Sequence, residues 1–266
     1  MVSIVMAYLN RRREIINTLD SIKPYQVDNM EVIIVDDGSV DEHSIDDLVE
    51  KYDFTIKLIK INRADKKHIN PCIPYNIGFR NVKNDIVIIQ NPECYHVGNV
   101  IGHTIKNINN ETYLNYSCYN ISSKATEELT NNSEDFFKNF TPQPFNSDTT
   151  EGNIGWFNHP QHRAVGYHFC SAISKNNLDE MNGFDERFAN GIGWDDTEFY
   201  FRVSYKGLKF NIIEEPYVIH QYHYYDDKFK SLDVNKLSNL NRMLLNTTIN
   251  QRKIRVNENS YYGHRD

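Results

Sequence analysis

The sequence has no apolar run near the ~20 residues that a bilayer-spanning helix needs. Its first strand-like run, Val2–Met6, has no basic stretch before it and no small-residue cleavage site after it, so no secretory leader is expected. Cysteine is scarce: Cys72, Cys94, Cys118 and Cys170 stand far apart, with no CxxC pair. That argues against a zinc ribbon or a disulfide scaffold and suits a reducing, cytoplasmic compartment. Positive charge is in deficit, with 29 Lys plus Arg against 36 Asp plus Glu and a net charge of −7. A dedicated nucleic-acid binder needs a basic face, so no nucleic-acid partner is expected. A Gly-x-Gly-x-x-Gly turn is also missing, which argues against a dinucleotide enzyme. No Gly-rich phosphate loop with its Arg and Lys follows the first strand, which argues against a nucleotidyltransferase. Internal repeats and low-complexity blocks are absent.

What is present is enough for a sizeable core. Hydrophobic residues make up 39% and charged residues 24% of the 266 positions, the balance of a globular chain. In the first half, short β-branched runs alternate with amphipathic stretches, the pattern of an α/β layer structure. Strands are expected at Val2–Met6, Glu31–Val35, Thr55–Ile61 and Asp85–Gln90. Ile15, Ile16, Leu19 and Ile22 share a helical face that Pro24 ends, and Ile45, Leu48, Val49 and Tyr52 mark a second helix. Further helices are expected over Pro71–Val82 and Gly98–Ile108. Residues 139–163 show no sustained period and read as a long functional or disordered loop. Beyond it come a strand at Phe169–Ser174, helices at Lys175–Met181 and Asp195–Tyr205, and strands at Lys209–Ile213 and Tyr217–Tyr222. A tail helix near Lys236–Leu245 closes the pattern. Residues 1–225 are expected to form one domain and 226–266 a helical extension that packs on it or on a partner, leaving an oligomer possible.

Two clusters near the start fall at the carboxyl ends of strands, where open α/β sheets gather ligands. Val35-Asp36-Asp37-Gly38-Ser39 offers carboxylates for a nucleobase N–H, although alone it reads better as an Asx-type turn. Ala7-Tyr8-Leu9-Asn10-Arg11-Arg12 offers a ring for a base face and, at Arg12 or Arg13, a cation for phosphate, each arginine reading equally as part of a solvated run that opens a helix. The order strand, helix, strand, Asp-Asp-Gly-Ser resembles the start of family 2 glycosyltransferases, which have the GT-A fold. The resemblance runs through Asn70-Pro71 and Asn76-x-Gly78 and covers the chain to about residue 225. It implies a nucleotide-diphospho-sugar transferase fold: a central, mostly parallel sheet flanked by helices, with a short helical tail.

GT-A enzymes usually carry Asp-x-Asp after the fourth strand to bind a divalent metal and the donor diphosphate. Here that place is held by Gln90-Asn91-Pro92-Glu93, with one hard carboxylate, Glu93, and the neutral oxygen of Asn91. Mn²⁺ or Mg²⁺ can complete its shell from diphosphate and water. Downstream, Gly183-Phe184-Asp185-Glu186, then Gly193-Trp194-Asp195-Asp196-Thr197-Glu198, then Arg202, is similar to the acceptor-side segment of family 2 and of galactosyltransferase-like enzymes. By that resemblance Asp195 replaces a usual Glu, and Asp196 is the catalytic base of an inverting reaction. Crowding of Asp195, Asp196 and Glu198 at a helix start is expected to tune the base.

A His at the stage of His220-Gln221-Tyr222-His223 completes the metal site in the similar galactosyltransferase-like enzymes. His223 is the first choice and His220 the second, although residues three apart on a strand face opposite ways unless the strand ends between them. The remaining loop residues read as donor-sugar or acceptor contacts: Trp156 as a stacking platform or a core anchor, Arg163 as a diphosphate cation, and Trp194 with Asp195 beside the base. Together the expected donor set is Ala7, Tyr8, Arg12, Asp36, Asp37, Asn76 and Asn91. The implied activity is metal-dependent, inverting transfer from a nucleotide sugar, by resemblance a UDP-sugar, to a hydroxyl on a glycan or other biomolecule. The competing reading is a non-catalytic nucleotide- or sugar-binding module with a degraded metal site.

Overall fold

The computed structural model describes residues 1–224 and 231–258. Val2–Tyr8 (β1), Glu31–Asp36 (β2), Thr55–Lys60 (β3) and Ile86–Gln90 (β4) pair in parallel in the order β3-β2-β1-β4. Both faces of this layer are covered, which is why β1 and β2 read as near-continuous apolar runs. Alternation then divides the core in two. Ile4, Met6 and Tyr8 face Ile15, Leu19 and Ile22 of Arg12–Ile22 (α1), while Val5 and Ile33 face Tyr75 and Phe79 of Cys72–Arg80 (α2). Gly78 allows α2 to close on β1, since a Cβ there would stand 2.4 Å from a Val5 methyl.

The expected helix around Ile45–Tyr52 is replaced by two 3₁₀ turns, Asp41–His43 and Asp46–Leu48. Ile45 and Leu48 still reach the core, but Ser44 and Asp46 bond to each other, and Asp46 and Asp47 are drawn off by Lys60 and Arg12. Such side chains compete with a helix for local hydrogen bonds.

After β4, a turn leads to Cys94–Val97 (β5), Val100–Asn107 (α3) and Thr112–Asn120 (β6). β6 is a nine-residue strand that no sequence pattern announces, because it buries Asn, Ser and Tyr rather than alternating them with apolar residues. Asn115 donates to Tyr167 O, Ser117 to Ile213 O and Asn120 to Asn153 O, so its polar groups are matched inside. Ser123–Asn131 (α4) and Ser133–Asn139 (α5) follow. The stretch read as a long loop holds a hairpin, Ser147–Thr149 (β7) with Gly152–Asn158 (β8), and β8 pairs with β6.

Cys170–Ser174 (β9), Lys175–Met181 (α6) and Asp195–Tyr205 (α7) lie where expected. β9 runs antiparallel between β4 and β6, so the sheet is mixed. The two expected strands near the end are one, Lys209–His220 (β10), with a register break between Ile213 and Val218. It lies parallel to β6 and antiparallel to β5. The tail helix, Val234–Gln251 (α8), docks on α7: Asn241 donates to the carbonyls of Phe188 and Gly193, and Tyr205 OH to Ile249 O. The expected domain boundary at 225/226 lies outside the described residues. All four cysteines are buried and free. No described helix is long and apolar enough to cross a membrane.

Candidate active site

The carboxyl ends of β1, β4 and β10 meet around a cavity of about 460 Å³. Ala7, Tyr8, Arg11, Asp37, Asn91 and Glu93 line it, with Tyr75, His220 and His223. Antiparallel pairing sets His220 opposite Cys94, so the end of β10 arrives beside Glu93. β10 stops at His220 and the chain turns, which removes the opposite-faces problem for a histidine three residues on. His220 Nε2 and His223 Nε2 stand 3.1 and 3.8 Å from Glu93 Oε1, and the three potential ligand atoms lie within 4.8 Å of one another.

The donor chemistry suits a divalent cation. Burial alone would push the Glu93 carboxyl up, but the Arg11 guanidinium and the two imidazoles hold it well below the ordinary value. Arg11 Nη1 lies 2.6 Å from Glu93 Oε2, leaving Oε1 to the histidines. Burial and Arg11 bring His223 down to about 3, which keeps its imidazole neutral, the form that ligates metal. His220 gives its Nδ1 proton to Asn120 Oδ1 at 2.9 Å and turns Nε2 toward Glu93.

The second centre lies at the start of α7. Asp195 Oδ1 accepts from Asn70 Nδ2 at 2.6 Å, and His168 Nε2 lies 3.6 Å from Asp195 Oδ2. Asp196 is partly buried, and its Oδ1 accepts from the Thr197 N–H at 2.7 Å. Burial and the neighbouring Asp195 charge raise Asp196 to about 6, the range of a base working near neutrality. Tyr75 connects the two centres: its hydroxyl donates to Asn91 Oδ1 at 2.8 Å and its ring packs edge-on to His168.

Several expected contacts are placed elsewhere. Arg12 turns outward to Asp47 and the Ser44 carbonyl, and Arg11 holds the cavity position instead. Asn76 is fully buried and exchanges hydrogen bonds with the Phe184 backbone, behind the cavity wall. Asp36 accepts from the Ser39 N–H, closing the turn, while Asp37 reaches the cavity between Lys66 and His68. Trp156 is a core anchor, packed edge-on to Tyr119 at 5.0 Å, with Arg163 bonded to its carbonyl. Strand alternation turns its neighbour Phe157 to the cavity, where it stacks on Phe169. Trp194 donates to Ser238 of α8. Glu198 pairs with buried Arg202 rather than crowding the base.

Arg11, Tyr75, His68 and His168 escaped sequence reasoning. Arg11 adjoins the predicted Arg12 and Tyr75 adjoins Asn76, so helix phase alone would have favoured them. Nothing in the sequence flags His168.

A wound parallel layer extended by a mixed half, with the site at its carboxyl edge, is the GT-A architecture. The sequence profile of Glycosyl transferase family 2 matches residues 3–174, and that of the N-terminal domain of galactosyltransferase matches 157–225. The chain belongs to glycosyl transferase family 2. It is 26% identical over 253 residues to chondroitin synthase of Pasteurella multocida (strain Pm70), covering 82% of this chain and 24% of that protein. The chain thus spans about a quarter of the length of that curated relative. Among solved structures, S. aureus TarS 1–349 in complex with UDP-GlcNAc is similar at a TM-score of 0.63 and 14% identity, covering 93% of this chain and 66% of that one. A mannosyltransferase from Pyrobaculum calidifontis, in complex with GDP-Man and Mn²⁺, gives 0.54 and 14%, covering 82% and 56%.

Proposed function

We propose that this chain is a metal-dependent, inverting glycosyltransferase that moves a sugar from a UDP-sugar to a hydroxyl on a glycan or other biomolecule. The observation that carries this reading is the pairing of a Glu93–His220–His223 cluster with a carboxylate poised near neutrality at Asp196, joined through Tyr75. UDP-GlcNAc in one structural relative and Mn²⁺ in another support the choice of donor and metal.

Ala7, Tyr8 and Asp37 form the wall for the nucleoside, and Asn91 and Arg11 face the diphosphate. Glu93, His220 and His223 would hold Mn²⁺ or Mg²⁺, which when bound supplies Lewis-acid stabilisation of the leaving diphosphate. Asp196 takes the acceptor hydroxyl proton as that oxygen attacks the anomeric carbon opposite the leaving group. Phe157 and Phe169 shield the reacting end from water. Within the proposed extension, α8 steadies the acceptor-side helix through Ser238 and Asn241.

Thermal shift with UDP, GDP, dTDP, CMP and ADP, each with and without Mn²⁺, tests the donor. The expected result is stabilisation by UDP that requires Mn²⁺. A metal-requiring shift with GDP instead would change the donor base. No shift with any nucleotide would leave the non-catalytic module as the better reading.

A further inference from the structure

One buried histidine has no part in that mechanism. His168 precedes β9, with its side chain 11% exposed. Its ring lies edge-on to Tyr75 at 5.5 Å and tilted on Phe184 at 4.8 Å. The groups that face it are Asp195 and Asp196 from α7 and Tyr75 from α2, with Cys72 close to Asp195 on the far side. No Lys or Arg ion-pairs with Asp195 or Asp196 among the described residues, and the ion-pair contact on Asp195 is made by His168.

The two carboxylates are held differently. Asp195 is fixed at both oxygens, Oδ1 by Asn70 and Oδ2 by His168 at an ion-pair distance. Asn70 is itself anchored, since its Oδ1 accepts from the Cys72 N–H at the start of α2. Asp196 is bonded only through Oδ1, to the N–H and hydroxyl of Thr197, among the described residues.

We propose that His168 is a positioning residue of the acceptor-side acid pair: its imidazolium, seated on Asp195, holds that carboxylate with Asn70 as a fixed anion and so sets the ionisation of Asp196. This rests on the reading of Asp196 as the base. In the transfer step the acceptor O–H bond breaks and its proton passes to Asp196, the oxygen forms the new bond to the anomeric carbon, and the bond from that carbon to the diphosphate oxygen breaks, its electron pair leaving with UDP. His168 keeps its proton throughout. Burial disfavours the imidazolium, but Asp195 and then Asp196 outweigh it and raise the group. The same cation counteracts the burial and like-charge repulsion that lift Asp196.

The test needs no donor or acceptor. The full chain, labelled with ¹³C at aspartate carboxyls and ¹⁵N at histidine rings, is titrated by NMR. The carboxyl signal missing from Asp196→Asn identifies that residue, and the ring signal missing from His168→Gln identifies the histidine. In the unaltered chain Asp196 is expected to titrate near pH 6. In His168→Gln it moves up by about 1 pH unit, because a neutral amide replaces the cation. In Asp195→Asn it moves down, because a neighbouring anion is lost, and His168 then deprotonates at lower pH. A structural role would not shift the two variants in opposite directions. An Asp196 midpoint unmoved in a folded His168→Gln chain would overturn the proposal. So would a His168 ring already neutral at pH 6.5 in the unaltered chain, where through-bond connectivities assign the ring signal even if the variants fail to fold. Sugar transfer retained by Asp196→Asn would sink the base assignment instead, whatever the titrations give.

Discussion

Glu93 is a buried and Asp196 a partly buried carboxylate, each with a histidine nearby, yet their surroundings push them in opposite directions. Glu93 has Arg11 at 2.6 Å and two imidazoles, so its charge is stabilised in spite of burial. Asp196 has a carboxylate neighbour, and the nearby cation, His168, sits on that neighbour rather than on Asp196 itself. Burial therefore does not decide whether a carboxylate serves as an anion or as a base. The nearest charges do, and here they hold Glu93 as an anion and lift Asp196 toward neutrality.

The contrast can be broken at either end. The largest effect is expected from Asp196→Asn, which should lower the transfer rate by roughly 10²–10⁴ while UDP binding by calorimetry is kept. In the unaltered chain kcat/KM should fall as pH drops through about 6, where Asp196 takes up its proton. Glu93→Gln comes next. It should remove Mn²⁺-dependent stabilisation by UDP, worth about 2.7 kcal/mol at a hundred times the dissociation constant. It should also weaken the free chain, toward the lower end of the ~3–5 kcal/mol typical of breaking a buried ion pair, because Arg11 is 25% exposed. Urea melts with and without metal separate the two losses.

Asp196→Asn should in turn stabilise the fold. A carboxyl whose folded value is raised makes the ionised state costly, so the penalty is full above pH 6 and gone below about 4. The variant should gain up to about 2–3 kcal/mol at pH 7 and nothing at pH 3.5. Melts at those two pH values test the sign, and a gain at pH 3.5 would contradict it. Asn241→Leu should cost about 1–3 kcal/mol by leaving the buried carbonyl of Phe188 unpaired. The smallest effect belongs to Arg12→Ala, whose surface pair with Asp47 should change stability by less than about 1 kcal/mol. It should leave nucleotide affinity unmoved, and a large loss of UDP binding would restore Arg12 to the site.

The sequence by itself determined β1 to β4, α1, α2, α6 and α7, because their apolar residues repeat at the period of the element they form. It also supplied the residues from which the proposed site is built, since Glu93, His220, His223, Asp195 and Asp196 lie in short runs with family-like spacing. Periodicity failed where burial is polar. β6 is held by matched Asn, Ser and Tyr groups, and residues 41–52 by Asp and Ser bonds that replace a helix. Only the tertiary structure decided which neighbour faces the cavity: Arg11 rather than Arg12, Phe157 rather than Trp156. One step along a strand reverses a side chain's direction and one step along a helix turns it by roughly 100°, and composition does not reveal that phase. It alone also brought His168 and Asn70 to Asp195, across 27 and 125 positions of chain, where charge rather than sequence distance sets what a carboxylate can do.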